Sequence, residues 1–120
     1  MKVIVNSLIP FKGYAYINLF GIIFTRDKNY KLSPIDENHE LIHTLQMKYL
    51  LYVFFYLLYG LEWIIKVFIS ILTKNNNTNI LNYAYHSVSF EQVAYNHEKD
   101  LNYLKNANPY EWIKYILKMK

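Results

Sequence analysis

The chain has 120 residues, enough for one modest core and not for two. With 53% hydrophobic and 18% aromatic residues but only three Gly and three Pro, it is neither disordered nor collagen-like. Cys is absent, which excludes disulfides and thiolate metal sites, and the net charge of +4 comes from Lys and Arg spread along the chain without a basic run or nucleic-acid motif.

From Lys2 to Arg26 the sequence is rich in Val, Ile, Tyr and Phe, punctuated by Pro10, Gly13 and Gly21. That pattern predicts two or three strands in a small antiparallel sheet, the last near Tyr14–Thr25. The first residues lack the long apolar core and small-residue cleavage site of a secretory signal, so a cytoplasmic or membrane-associated location is expected. A polar turn, Arg26 to Asn29, precedes a strong helix start at Ser33-Pro34-Ile35-Asp36-Glu37. Ser33 suits the N-cap, Pro34 the first helical position, and the two acids the positive end of the helix dipole.

An apolar stretch follows over Tyr49–Leu72, interrupted only by Gly60, Glu62, Lys66 and Ser70, and a polar loop over 74–79 ends it. A Tyr-rich connector leads to Ser89-Phe90-Glu91-Gln92, a capping-box pattern that predicts a helix to about Leu104. Asn108-Pro109-Tyr110-Glu111 repeats the start signal for a short last helix. The expectation is one α+β domain over 1–120, with a β region at 1–30 and helices over 34–73 and 88–120.

His39-Glu40-Leu41-Ile42-His43 is the passage with chemistry in it. Residues four apart on a helix project from one face, so His39 and His43 aim at a common point, and Glu40 is placed to act as general base on a metal-activated water. Without Cys, a metal here is held by His and carboxylate, the ligand set of catalytic Zn2+. Tyr49 stands six residues after His43, so no third His follows there, and a Glu ligand is expected. Glu62 and Glu91 are the two candidates: Glu62 also pairs with Lys66 at i+4 as a surface carboxylate would, and no Gly or Pro before Gly60 offers a chain reversal toward it.

Glu91-Gln92-Val93-Ala94-Tyr95 is similar to the Glu-x-x-Ala-Asp element of gluzincin metallopeptidases, and Gln46 fits the His-x-x-Gln of several small members. Over roughly residues 33–100 the chain resembles the compact mini-zincin group and, more distantly, the membrane-bound CAAX-type endopeptidases. The resemblance implies a zincin-like fold, Glu91 as third zinc ligand with His39 and His43, and peptide or protein substrates, which an edge strand near Tyr14–Thr25 would help to hold. Tyr95 departs from the family, which often has Asp there to orient a ligand His.

His86 and one of Tyr83, Tyr85 and Tyr95 are weaker candidates for stabilising an oxyanion, whereas His97 reads as surface. Tyr49–Leu72 is too apolar for a chain this short to bury on every side, so it predicts lipid contact or self-association. Two functional expectations follow: a zinc-dependent metallopeptidase, or a non-catalytic metal-binding or membrane-associated interaction protein.

Overall fold

The computed structural model describes residues 1–73 and 79–120, so the expected polar loop lies outside the described residues except for Asn79. Three short strands, β1 (Val3–Val5), β2 (Ile17–Leu19) and β3 (Ile22–Thr25), form a sheet of order β1-β3-β2. β2 and β3 are antiparallel and joined by Phe20-Gly21, both with positive φ (55° and 86°), as a type I′ hairpin requires. Phe20 is held in that conformation from outside: its N–H donates to the Tyr56 hydroxyl, and its ring packs on Tyr52 and Tyr56. Gly21 also admits a close neighbour, since a Cβ there would lie 3.1 Å from Thr44 Cγ2. β1 runs parallel to β3, so the sheet is mixed rather than antiparallel. The chain from Asn6 to Gly21 is long enough to carry the crossover a parallel pair needs.

The helix start at Ser33 forms as expected. Its hydroxyl oxygen accepts the Asp36 N–H at 3.0 Å, and α1 runs over Pro34–Tyr49. The chain then reverses at Leu50–Tyr52 without Gly or Pro, through left-handed backbone at Leu51 and Tyr52 (φ 56° and 60°). The Tyr52 and Leu50 N–H groups bond the Met47 and Gln46 carbonyls (2.8 and 3.2 Å) and so satisfy the end of α1. The expectation that no reversal could occur before Gly60 is therefore overturned.

α2 (Val53–Thr73) is followed by α3 (Ile80–Ser87) and α4 (Ser89–His97). The Tyr-rich connector is thus a helix: Asn79 caps it by accepting the Asn82 N–H at 3.1 Å, and Ala84 and Ser87, three apart, are its buried positions. Val88, in extended backbone, separates α3 from α4 and holds the N-cap position of α4 without a side-chain cap. Ser89 is not the cap that its pattern suggests. Its N–H and hydroxyl instead donate to the two oxygens of Glu62, each at 2.5 Å, so the cap comes from another helix.

α4 stops at His97, short of the expected Leu104, because the Asn38 side-chain amide collects the carbonyls of His97, Glu98 and Asp100 at 3.2, 2.8 and 3.1 Å. Beyond it lie only 3₁₀ turns, at Tyr103–Lys105 and Glu111–Tyr115, the second in place of the expected last α-helix. Asn108 does accept the Tyr110 N–H, at 2.9 Å, but no α-helix grows from that turn.

The core sits among α1, α2, α4 and the last 3₁₀ turn, with Ile42, Met47, Phe55, Val88, Phe90, Val93, Ala94 and Trp112 enclosed. α2 is turned inside out. Lys66 is 2% exposed and Ser70 is fully buried, while Phe54, Leu57, Leu61 and Phe68 face outward. Glu62 is accordingly not a surface carboxylate: it meets Lys66 Nζ at 2.7 Å, and that ammonium also donates to the carbonyls of Ser87, Tyr115 and Lys118.

Candidate metal centre

His39 and His43 lie one turn apart on α1, and Glu91 enters from the first turn of α4. All three side chains are buried, at 6%, 5% and 3% exposure. His39 Nε2 and His43 Nε2 stand 3.1 Å apart, and each faces the same Glu91 oxygen, at 3.1 and 3.0 Å. Glu62, the other sequence candidate, is instead engaged by Ser89 and Lys66. Among the described residues, His39, His43 and Glu91 form the group whose ligand atoms could share one metal ion.

The chemistry of these donors tests whether a cation fits. Gln46 Nε2 donates to the Phe90 carbonyl at 3.3 Å, which fixes the amide and turns its oxygen toward His43 Nδ1 at 2.9 Å. His43 Nδ1 therefore carries a proton, and in the neutral ring the lone pair sits on Nε2. His39 Nδ1 faces the Glu98 carboxylate at 3.7 Å, which favours the same tautomer. Two imidazole lone pairs and a carboxylate oxygen then converge in a buried space, an arrangement that needs a positive charge at its centre. Burial pushes the His43 imidazole down, but the Glu91 charge and hydrogen bond, with Glu40 and Gln46 behind them, overcome this and bring it up to about 9. Burial raises the Glu91 carboxyl in turn, yet His43 and the hydrogen bonds from both rings hold it well below the usual carboxylate range.

A proton on a ring nitrogen is one way to supply that charge, and a divalent ion is the other. A tetrahedral zinc site with bonds of roughly 2.0–2.1 Å separates its ligand atoms by roughly 3.3 Å, so this triangle is close to one ligand face of such a site.

A cleft of about 340 Å³ opens beside the triangle, lined by Glu40, His43 and Glu91 together with Tyr16, Asn18, Tyr56, Tyr59 and Tyr85. β2, an edge strand of the sheet, forms one wall. Tyr16 donates to Glu40 Oε2 at 3.2 Å. Burial, and then the charges of Glu40 and Asp36, push its phenol far above the ordinary range, so it stays a donor. Tyr59 donates to the free oxygen of Glu91 at 2.7 Å. Tyr85 also lines the cleft beside Glu91, and burial followed by the Glu91 charge keeps its phenol protonated.

The weaker sequence candidates sort clearly. His86 does not line the cleft: its ring stacks on Tyr95, and Nδ1 is tied to the Asn82 carbonyl at 2.9 Å. Tyr95 packs edge-on against His39 (4.6 Å between ring centres), while the acid facing His39 Nδ1 is Glu98, one turn farther along. His97 is not a free surface group. It stacks on Tyr103 and meets Glu111 at 2.7 Å, fastening the C-terminal segment to α4.

Sequence reasoning missed Tyr16, Tyr59 and Glu98. Tyr16 and Tyr59 had no signal, because their partners Glu40 and Glu91 lie 24 and 32 residues away. Glu98 had one, since it stands seven residues after Glu91, a spacing that returns to the same helix face. Compared with known proteins, the chain matches no family model, no curated protein and no solved structure.

Proposed function

We propose that this protein is a zinc-dependent metallopeptidase of gluzincin type, with His39, His43 and Glu91 as the ligands and Glu40 as the general base. The observation that carries the reading is the buried His39–His43–Glu91 triangle, 3.0–3.1 Å on each side, opening on a cleft that Glu40 also lines. When bound, zinc supplies a positive charge that acidifies water and polarises a carbonyl.

The chain's own residues do the rest. A Glu40 carboxylate oxygen takes the proton of the attacking water and delivers it to the leaving amine nitrogen. Tyr16, donating to Glu40 Oε2, holds that carboxylate toward the cleft. Gln46 and Glu98 orient the two imidazoles through their Nδ1 atoms, and Tyr59 fixes Glu91. Tyr85, kept protonated and lining the cleft, is a neutral donor for an oxyanion there, since the one O–H of Tyr16 is engaged by Glu40. β2 offers an edge along which an extended peptide can lie.

The test is zinc content and hydrolysis of a mixed peptide library by the purified protein, read by mass spectrometry. Glu40→Gln is expected to retain stoichiometric zinc and lose about 10²–10⁴-fold in kcat. His39→Ala is expected to lose the metal. A zinc-loaded protein that cleaves nothing would point to the non-catalytic metal-binding reading. A protein that takes up no zinc, and whose melting is unchanged in His39→Ala, would remove both readings.

A further inference from the structure

The outward face of α2 has no partner within the chain. Phe54, Leu57, Leu61, Ile64, Phe68 and Leu72 are 50–83% exposed. At 100° per residue they fall within an arc of roughly 80°, and at 1.5 Å per residue the stripe runs for roughly 27 Å. No charged side chain interrupts it. The opposite face of the same helix holds the Glu62–Lys66 pair and Ser70, enclosed against α3, the start of α4 and the C-terminal segment. A water-facing helix places such groups the other way round; charges turned inward and aliphatic side chains outward are the arrangement of a helix whose solvent is lipid.

The neighbouring chain says which kind of lipid. The C-terminal segment lies along α2, where Leu58, Leu61, Ile65 and Ile69 face Ile116 and Leu117 across an apolar groove of about 300 Å³. Leu117 is 97% exposed. After Glu111 this segment carries Lys114, Lys118 and Lys120 and no acid. Lys120 lies over the Tyr95 ring, but Lys114, 59% exposed and 4.0 Å from Glu111, and Lys118, over Tyr115, stand on the same segment as Ile116 and Leu117. Lysines next to exposed apolar side chains match acyl chains bordered by anionic headgroups.

We infer that the outward stripe of α2, with Ile116 and Leu117 beside it, seats this protein on an anionic lipid bilayer, the helix lying in the plane of the interface. The helix lies in the plane because its inner face is packed on the rest of the domain, through Phe55, Tyr59 and Trp63 in the core and the Glu62–Lys66 pair at the start of α4, so lipid covers only the outward side. The inference stands on α2 and the C-terminal segment and does not depend on the metal or on peptidase activity.

Flotation with vesicles of phosphatidylcholine, with and without phosphatidylserine, tests it on the full chain. The protein is expected to float with phosphatidylserine-containing vesicles and to be released by alkaline carbonate. The triple variant Leu57→Gln/Leu61→Gln/Phe68→Gln should lose about a hundredfold or more in partitioning with an unchanged circular-dichroism spectrum. Should that variant misfold, Lys114→Gln/Lys118→Gln, on the exposed segment, should still lose the preference for phosphatidylserine by about tenfold or more.

Folded protein that stays at the bottom of the gradient with anionic vesicles overturns the inference. So does a sedimenting dimer that the triple variant dissociates, because the stripe would then be covered by a second copy. Resistance to carbonate extraction overturns the in-plane placement.

Discussion

In α1 the enclosed side chains are Asn38, His39, Glu40, His43 and Gln46 beside only two apolar ones, Ile42 and Met47. In α2, the next helix, Phe54, Leu57, Leu61 and Phe68 face outward while Lys66 and Ser70 are enclosed. Both helices thus bury polar groups, but for different ends. In α1, Glu40 and His43 line an open cleft, and the ring nitrogens of His39 and His43 meet Glu91 in a group that could hold a metal ion. Those of α2 are consumed internally: Lys66 is spent on Glu62 and three carbonyls, and Glu62 on the start of α4. A buried polar group is tolerated when it is paired, and the identity of the partner separates a site from a strut.

The comparison can be broken most forcefully at Lys66. Lys66→Met leaves the Glu62 carboxylate enclosed without its cation, so a loss of about 3–5 kcal/mol in urea unfolding is expected. The double variant Glu62→Gln/Lys66→Met should recover part of it. A single variant as stable as the parent would show that the pair is not a strut.

Glu98 sharpens the other side. Glu98→Gln removes the charge facing His39 Nδ1 and should weaken zinc binding by about 10–100-fold in a chelator-competition titration. Unfolding of the metal-free protein should change far less. Equal zinc affinity in the variant would remove Glu98 from the support of the site.

Asn38 belongs to α1 but acts as a strut. Asn38→Ala removes the side-chain donor that meets the Glu98 carbonyl at 2.8 Å, while the His97 and Asp100 carbonyls keep the N–H groups of Asp100 and Tyr103, and should cost about 1–3 kcal/mol, with faster amide exchange over residues 94–98. Zinc affinity should fall with it, because that helix carries Glu91. The smallest effect belongs to the outward stripe: Phe68→Gln should shift unfolding in the absence of lipid by no more than about 0.5 kcal/mol. A larger loss would mean that the stripe is packed against something within the protein.

Local features were the legible ones. The i, i+4 spacing of His39 and His43 is a property of any helix, and Ser33 caps through a hydrogen bond that spans three residues. The α+β order and the exposed apolar segment also followed from composition and pattern. The errors cluster where a distant side chain intervenes. Ser89 looked like a cap until Glu62, 27 residues earlier, took its N–H. The helix begun there looked longer until Asn38 claimed its last carbonyls. Leu50–Tyr52 is the exception: it has no turn residue, and its left-handed backbone is closed by local backbone bonds to the end of α1.

By itself, then, the sequence determined that two imidazoles and a carboxylate would share a face of α1, because helical periodicity is set by neighbouring residues alone. It also determined that more apolar surface would be present than so short a chain can enclose. Only the tertiary structure decided that Glu91 rather than Glu62 meets the two imidazoles, and that Glu62 and Lys66 turn inward while the aliphatic side of α2 turns out. Those choices depend on how α2 and α4 pack. Packing is settled by burial and pairing between residues far apart in the chain, for which no local pattern exists.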